Sequence, residues 1–296
     1  MPERYTPLAH IPPSDAWVSI LGQRPPSPAS FASFARAGLR SDPLAPLLLG
    51  LHDGNRSAEL AWGRPVEHPT ELPPGKLQAV CARRVCDVID DQGHLRFSRF
   101  SWRGRVLEDF PSCLPSGLAL SLLSRVARAQ DEDRDTCRVA AERLVVGLQV
   151  SIEAGGVSTS GICGPRYHEY PGLPEISLVL NGWLSAVIGL LEATTLTAAV
   201  KPLAERSIRE IARAMPEFAR WYGHRYAADW SRLSAGPYPF IVCAQLAHLA
   251  YLFQEPAWLD LSRRWSRFID WRDRWTVTAD VTAARRALQA FAKTPS

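Results

Sequence analysis

The stretch RYHEYPGLPEISLVLNGWLSAVIGLLE, residues 166–192, holds the features that decide the fold of this chain. It begins as a polar loop with aromatic and acidic residues and passes into a helical pattern over 175–192. Apolar residues recur there at the i, i+3, i+4 spacing of a helix that packs against a core. Ser177, Asn181 and Ser185 form a second stripe at i+4 spacing. The stretch therefore predicts a candidate site where a polar loop meets the start of a buried helix.

Two interpretations of this loop follow from the residues alone. In the first, Asn181 points toward the space that Glu169 and Tyr170 face, and all three belong to a site. In the second, Asn181 forms a hydrogen bond with a carbonyl group of a neighbouring helix or loop. Glu169 then caps a helix N-terminus, and Tyr170 packs over the start of the helix. Pro171 favours extended backbone at the residue before it, so consecutive side chains there need not act from one direction. Both interpretations stay open at this point.

The chain downstream of residue 113 has the periodicity of a mainly α protein. Proline and aspartate residues supply start signals for several helices. Repeated helix pairs with short connections favour antiparallel hairpins, and we expect an (α/α) hairpin toroid or incomplete barrel. The predicted helices cover 115–129, 136–149, 175–192, 202–214, 239–254, 256–271 and 280–292.

The upstream part of the chain has a different character. Residues 1–76 are rich in proline and poorly periodic, which predicts an arm wrapped on the body of the protein. Segments 77–89 and 95–110 alternate apolar and polar residues, so we expect two or three antiparallel strands. The predicted organisation is thus an N-terminal arm, a small antiparallel β element at 77–110 and a helical domain at 111–296.

Composition and charge limit the classes of partner. The 296 residues include 46% hydrophobic and 22% charged residues, which is ordinary for a globular protein. A net charge of +4 is too small for a nucleic-acid surface, and the longest apolar run, 178–191, is too short for a membrane span. Six cysteines without a secretory signal predict free thiols and a cytoplasmic protein. The sequence is also compatible with a homodimer.

The sequence contains no motif for a bound cofactor or metal ion. Its seven histidines show no HExxH or other zinc spacing. It also lacks the GxGxxG fingerprint, the P-loop and the GxSxG nucleophile elbow. We therefore expect neither a cofactor nor a metal site.

Two adjacent motifs in the central stretch are characteristic of one enzyme family. They are Glu169-Tyr170-Pro171 and, after a short spacer, Leu178-Val179-Leu180-Asn181-Gly182-Trp183. The helical sequence GLALSLLSRV at 117–126 precedes them, and Gly155-Gly156-Val157 follows a second helix. Tyr222-Gly223-His224-Arg225 and Tyr238 before Gln245-Leu246 come later. In these motifs the chain resembles the C-terminal catalytic domain of D-glucuronyl C5-epimerases over about residues 95–272.

The resemblance implies a cofactor-independent epimerase that inverts C5 of a uronic acid in a polysaccharide. Such a reaction needs a base, an acid on the opposite face and a group that neutralises the substrate carboxylate. The resemblance assigns proton transfer to Glu169 and Tyr238, assisted by Tyr170 and Tyr222. Arg225 is the candidate carboxylate clamp, because guanidinium binds carboxylate in a bidentate manner. The expected substrate-binding residues are Arg225, Asn181, Arg166, His168 and His224.

One departure from the family keeps other functions open. The family's polar residues around the last tyrosine are replaced here by PYPFIV at 237–242, which removes groups expected to hold a charged sugar. One alternative is therefore a tailoring enzyme (an isomerase, lyase or cyclase) of a small-molecule or peptide pathway. Another is a catalytically inactive glycan-binding or scaffold homologue. In the first two functions the partner is a carboxylate-bearing small molecule or oligosaccharide.

Overall fold

The computed structural model of the chain describes residues 76–129, 131–221, 223–228, 238–253 and 256–267. The expected arm, apart from residue 76, lies outside the described residues. The predicted helix at 280–292 and the predicted site residue Tyr222 also lie outside them.

The described part of the chain is mainly helical, which confirms the predicted class. Three short two-stranded antiparallel sheets accompany the helices, and the described helices do not form a closed barrel. The elements are α1 (Lys76–Val88), β1 (Arg96–Trp102), β2 (Arg105–Pro111), α2 (Cys113–Ala129), α3 (Arg134–Gln149), β3 (Ser158–Ser160), β4 (Pro165–Tyr167), α4 (Leu180–Ala193), α5 (Lys201–Phe218), β5 (Ala219–Arg220), β6 (Gly223–His224), α6 (Tyr238–Phe253) and α7 (Pro256–Ser266).

Helix α4 lies at the centre of the helical body. It packs against α2, α5 and α6, and α2 in turn contacts α1 and α3. Every residue of α4 is buried, which explains its almost uniformly apolar sequence. At the crossing of α2 and α4, a Cβ atom on Gly189 would collide with the backbone of Gly117. The two glycines therefore permit the close approach of these helices.

Helix α4 begins later than the periodicity predicts. A single 3₁₀ turn, Pro174–Ile176, forms at the start of the predicted helix, and the α-helix begins only at Leu180. The polar stripe is shortened as a result, because Ser177 lies upstream of the helix while Asn181 and Ser185 remain on it.

Backbone pairing with a distant segment explains the late start of α4. Val179 forms an antiparallel bridge with Ala227. The N–H of Leu180 donates to the carbonyl of Tyr226 at 3.1 Å, and the carbonyl of Leu178 accepts from Ala228 at 3.2 Å. These bonds hold the backbone at 178–180 extended, so the helix does not continue upstream.

The predicted β element is smaller than expected. The segment at 77–89 was predicted as a strand, but it forms helix α1 with Cys81, Ala82 and Val85 fully buried. Their spacing places them on one helical face that packs against α2. The sequence of this segment fits both the strand period and the helical period, and the packing against α2 selects the helix. The second predicted region does form an antiparallel hairpin, β1–β2, which turns between Trp102 and Arg105. Gly104 supports this turn with a φ of +82°.

The β1–β2 hairpin covers the loop that leads into α4. Its apolar side chains pack on a second core that contains Tyr170, Leu173, Ile176 and Val179. None of the helices in the described part combines the length and the apolar composition required to cross a membrane.

Candidate functional site

The carboxyl group of Glu169 is buried at the N-terminal end of α4. The backbone N–H of Glu169 donates to the carbonyl of Ser177 at 2.9 Å, which folds the loop back toward the helix. The residue is only 2% exposed. Its Oε2 atom lies over Gly182, where an added Cβ atom would come within 2.5 Å of that oxygen. The glycine of the Leu-Asn-Gly motif thus leaves the space that the carboxyl group occupies.

Two polar side chains contact this carboxyl group. Asn181 donates from Nδ2 to Oε2 at 3.5 Å, and the hydroxyl group of Tyr170 forms a hydrogen bond with Glu169. Burial raises the pKa of Glu169 from its ordinary value of 4.5 to about 7, and the bond from Tyr170 offsets only part of this effect. A carboxyl group with a pKa near neutrality can both take up and release a proton at physiological pH.

The ring of Tyr170 belongs to an aromatic cluster under the hairpin. It stacks on Phe100 with the ring centroids 4.1 Å apart and makes a tilted contact with Phe110 at 6.2 Å. Burial raises the pKa of Tyr170 far above its ordinary value of 10, and the interactions with Glu169 and Tyr226 raise it further. Tyr170 is therefore protonated at neutral pH and donates a hydrogen bond to Glu169.

Arg225 lies beside the first turn of α4, because the residues that follow it pair with the backbone at 178–180. Its Nη1 atom donates to the carbonyl of Ala228 at 3.1 Å. Its Nε atom is buried and has no hydrogen-bond partner in the described part of the chain. An unpaired buried donor costs roughly 1–3 kcal/mol, so Arg225 retains a group suited to an incoming anion.

Arg166 is held by carboxylates of helix α5. Its Nε donates to Glu210 at 2.9 Å, and its terminal nitrogens donate to Glu217, the shorter bond measuring 2.8 Å. The guanidinium also lies 5.9 Å from the ring centre of Trp183. These contacts engage all three nitrogens of Arg166 and anchor strand β4 to α5.

Of the two predicted histidines, His224 is buried and His168 is partly buried. Nδ1 of His168 lies 2.7 Å from the hydroxyl of Ser177, and Nε2 lies 2.8 Å from that of Thr159. Nδ1 of His224 lies 2.9 Å from the carbonyl of Arg225, while its buried Nε2 has no partner among the described residues. Burial lowers the pKa of each histidine to about 4.

The structure thus brings Glu169, Tyr170 and Asn181 together, and the residues that follow Arg225 pair with the backbone at 178–180. Tyr222 lies outside the described residues. Tyr238 is the first residue of α6, and its side chain lies outside the described part of the structure.

Two residues near Glu169 were not predicted as site residues. Burial raises the pKa of the Cys113 thiol well above its ordinary value, and the nearby charge of Glu169 contributes to that shift. Gln245 donates from α6 to the carbonyl of Asn181 at 2.9 Å. A glutamine within the apolar segment 239–254 is the signal that could have identified it, whereas Cys113 looks like any other core cysteine. Within the described ranges no group of three His, Cys, Asp or Glu side chains is arranged to hold a metal ion.

Comparison with known proteins gives one family match. A family model described as the D-glucuronyl C5-epimerase C-terminus matches residues 109–267, which is more than half of the chain. The matched segment contains the loop with Glu169, helix α4 and Arg225. No curated protein matches the chain significantly.

Proposed function

The chain belongs to the D-glucuronyl C5-epimerase C-terminal family, and on this premise we propose that it inverts C5 of a uronic acid without a cofactor. One observation carries the proposal. The glutamate of the family motif is buried without a basic partner among the described residues, and its pKa lies near 7. This carboxyl group has the properties of a general acid–base catalyst at the position where the family motif places it.

Glu169 is proposed to exchange the proton at C5. As a carboxylate it accepts this proton, and as a carboxylic acid it can return one. Tyr170 and Asn181 hold the carboxyl group by the hydrogen bonds that they donate to it. Because the pKa is near 7, both protonation states are populated at neutral pH.

Arg225 is proposed to bind the carboxylate of the substrate. Removal of the C5 proton places negative charge on that carboxylate as the enolate-like state forms, and a fixed guanidinium stabilises the charge. The buried Nε of Arg225, which has no partner among the described residues, supports this role.

Inversion also needs a proton donor on the other face of the sugar. The resemblance gives this role to Tyr238, with Tyr222 assisting, and we retain both as proposals. Arg166, His168 and His224 are proposed to support the wall of the site, because the structure pairs them with protein groups.

The proposal also covers the architecture, the substrate, the location and the oligomeric state of the protein. We propose that the helices form part of an (α/α) toroid, that 111–296 is the catalytic domain and that 1–76 is an arm on its surface. The proposed substrate is a uronosyl oligosaccharide or polysaccharide. A cytoplasmic location and a homodimer are part of the same hypothesis.

The proposal is tested by hydrogen exchange in heavy water. The full chain is incubated with a glucuronic acid polymer, and deuterium at C5 is measured by NMR or mass spectrometry. We expect incorporation with the wild type and a loss of at least ~100-fold with Glu169→Gln, because a general acid–base group contributes that much. Glu175→Gln is the matched control, since Glu175 is about half exposed and pairs with Arg105. Absence of exchange with uronic acid polymers would contradict the proposal.

A second candidate function is favoured by the apolar residues that follow Tyr238. Ile241 and Val242 are 4% and 0% exposed, and they lie in the apolar segment that replaces the family's polar residues around the last tyrosine. They suit a tailoring enzyme that exchanges a proton next to the carboxylate of a smaller, less polar substrate. Exchange with small carboxylic acids but not with uronans would favour this candidate. Glycan binding without any exchange would instead indicate an inactive homologue.

A further inference from the structure

A buried amide links helix α6 to the candidate site. Gln245 is 2% exposed, and its Nε2 donates to two groups of α4. One acceptor is the carbonyl of Asn181 and the other is the hydroxyl of Ser185, each at 2.9 Å. The Ser185 hydroxyl in turn donates to the same carbonyl at 2.9 Å. The three bonds form a closed network around the first turn of α4.

The orientation of the Gln245 amide follows from this network. The carbonyl of Asn181 can only accept hydrogen bonds, so the atom of Gln245 next to it must be the nitrogen. The hydrogens on Nε2 are then both used. This orientation leaves Oε1 of Gln245 buried and without a partner in the described part of the chain. The contact with Asn181 is thus kept although a buried acceptor of Gln245 stays without a partner among the described residues.

The network ends at the candidate catalytic group. Asn181 uses its backbone carbonyl to bind Gln245 and its side-chain Nδ2 to donate to Oε2 of Glu169 at 3.5 Å. Gln245 lies seven residues, about two helical turns, after Tyr238 on α6. The two positions therefore fall on similar sides of the helix. Gln245 connects the helix that begins with Tyr238 to the residue that contacts Glu169.

We propose that Gln245 is a positioning residue of the epimerase site, which acts through Asn181 on the carboxyl group of Glu169. It fixes the first turn of α4 relative to α6 and thereby fixes the donor that Asn181 offers to Glu169. The inference rests on the proposed function, because positioning has a catalytic consequence only if Glu169 exchanges a proton.

Gln245→Met tests the inference, because methionine has a similar volume and cannot donate. Without Gln245 the Asn181 donor is less constrained, so the carboxylate form of Glu169 loses part of its stabilisation. We expect the pKa of Glu169 to rise above about 7, kcat to fall about 10- to 100-fold and KM to change little. The acid limb of the pH–rate profile should move to higher pH by the same number of pH units as the pKa of Glu169.

Ser262→Ala is the matched control. Ser262 of α7 is fully buried and donates to the carbonyl of Cys243 on α6 at 2.7 Å, and this bond does not involve α4. Its replacement should lower the thermal midpoint without a change in the pH–rate profile. If Gln245→Met lowers stability but leaves kcat per folded molecule and the pH profile unchanged, Gln245 is merely structural and the inference is wrong.

A direct titration separates failure of the inference from failure of the proposed function. The protonation of Glu169 is followed by infrared difference spectroscopy of the full chain, with Glu169→Gln identifying the band. The midpoint should rise in Gln245→Met even if the wild type shows no exchange on any uronan. Should Gln245→Met not fold, Ser185→Ala, which removes one branch of the network, should give a smaller rise. An unchanged midpoint in the folded variants overturns the inference.

Discussion

Helix α4 is associated with a buried glutamate near each end, and the protein holds the two carboxyl groups in opposite ways. At the N-terminal end, Glu169 meets only neutral donors among the described residues, and burial raises its pKa to about 7. At the C-terminal end, Glu192 is fully buried but accepts from Arg125 at 3.1 Å and lies 3.1 Å from Nε2 of His248. Burial opposes the charge of Glu192 as well, yet Arg125 and His248 hold its pKa well below the ordinary range.

The difference shows that burial alone does not define the role of a carboxyl group. Burial without a cation raises the pKa of Glu169 toward neutrality, whereas burial beside Arg125 keeps Glu192 charged. Arg125 comes from α2 and His248 from α6, so Glu192 joins three helices. One end of α4 therefore holds a carboxyl group with a raised pKa, and the other holds a buried ion pair that joins helices.

The largest expected effect comes from removing the cation at the structural end. Arg125→Ala leaves the buried Glu192 without its main partner, and we expect a loss of about 3–5 kcal/mol in the free energy of unfolding. Urea denaturation at pH 7 measures it. Arg138→Ala is the control, because its bridge to Glu142 is partly exposed, and it should leave the midpoint nearly unchanged. Equal effects of the two variants would contradict the comparison.

A second prediction concerns the pH dependence of stability. The pKa of Glu169 is about 7 in the folded state and about 4.5 when unfolded, so its contribution is fully present below pH 4.5 and is lost as pH rises to 7. The Glu169→Gln variant has no carboxyl group at this position, so it does not lose this contribution to stability as the pH rises. Relative to wild type, its free energy of unfolding should therefore increase by up to about 3 kcal/mol between pH 4.5 and 8.

Glu192→Gln provides the contrast for this measurement. The pKa of Glu192 is no higher than about 4.5 in either state, so the titration of Glu192 itself should add little variation to the difference from wild type between pH 5 and 8. Denaturation curves at several pH values test both variants. Parallel pH profiles for Glu169→Gln and Glu192→Gln would show that the two carboxyl groups are not held differently.

A smaller effect is expected from two glycines of the same helix. A Cβ atom at Gly189 meets the backbone of Gly117, which cannot move easily, so Gly189→Ala should cost about 1–3 kcal/mol. A Cβ atom at Gly182 meets the movable carboxyl group of Glu169, so Gly182→Ala should change stability by less than about 1 kcal/mol but reduce proton exchange. Thermal melts and the heavy-water assay measure the two effects. A strong loss of stability with unchanged exchange in Gly182→Ala would argue against this account.

The local parts of the fold could be predicted from the sequence, and the parts set by distant contacts could not. The apolar period of α4 indicates a buried helix, and the spacing places Asn181 toward the loop. The start of α4 at Leu180 depends on pairing with a segment more than 40 residues downstream. The segment at 77–89 fits both periods, and only its packing against α2 makes it a helix.

The chemistry of the site shows the same limit. The motif identifies Glu169, but its pKa near 7 depends on which groups the fold keeps away from it. Arg166 is three residues from Glu169 in the sequence, yet Glu210 and Glu217 of α5 bind its guanidinium. The partners of Arg166 are therefore set by a helix more than 40 residues downstream and cannot be predicted from its place beside the motif.

The hairpin over Tyr170 has a consequence for how far the functional unit extends. The segment similar to the family starts at residue 109, inside β2, whereas Phe100 of β1 stacks on Tyr170. Leu107 also packs against Gly172 of the same loop. A recombinant fragment that begins where the sequence similarity begins would lack the part of the hairpin that covers Tyr170, and water would then reach Glu169. Expression boundaries should therefore follow the hairpin and α1 rather than the limits of sequence similarity.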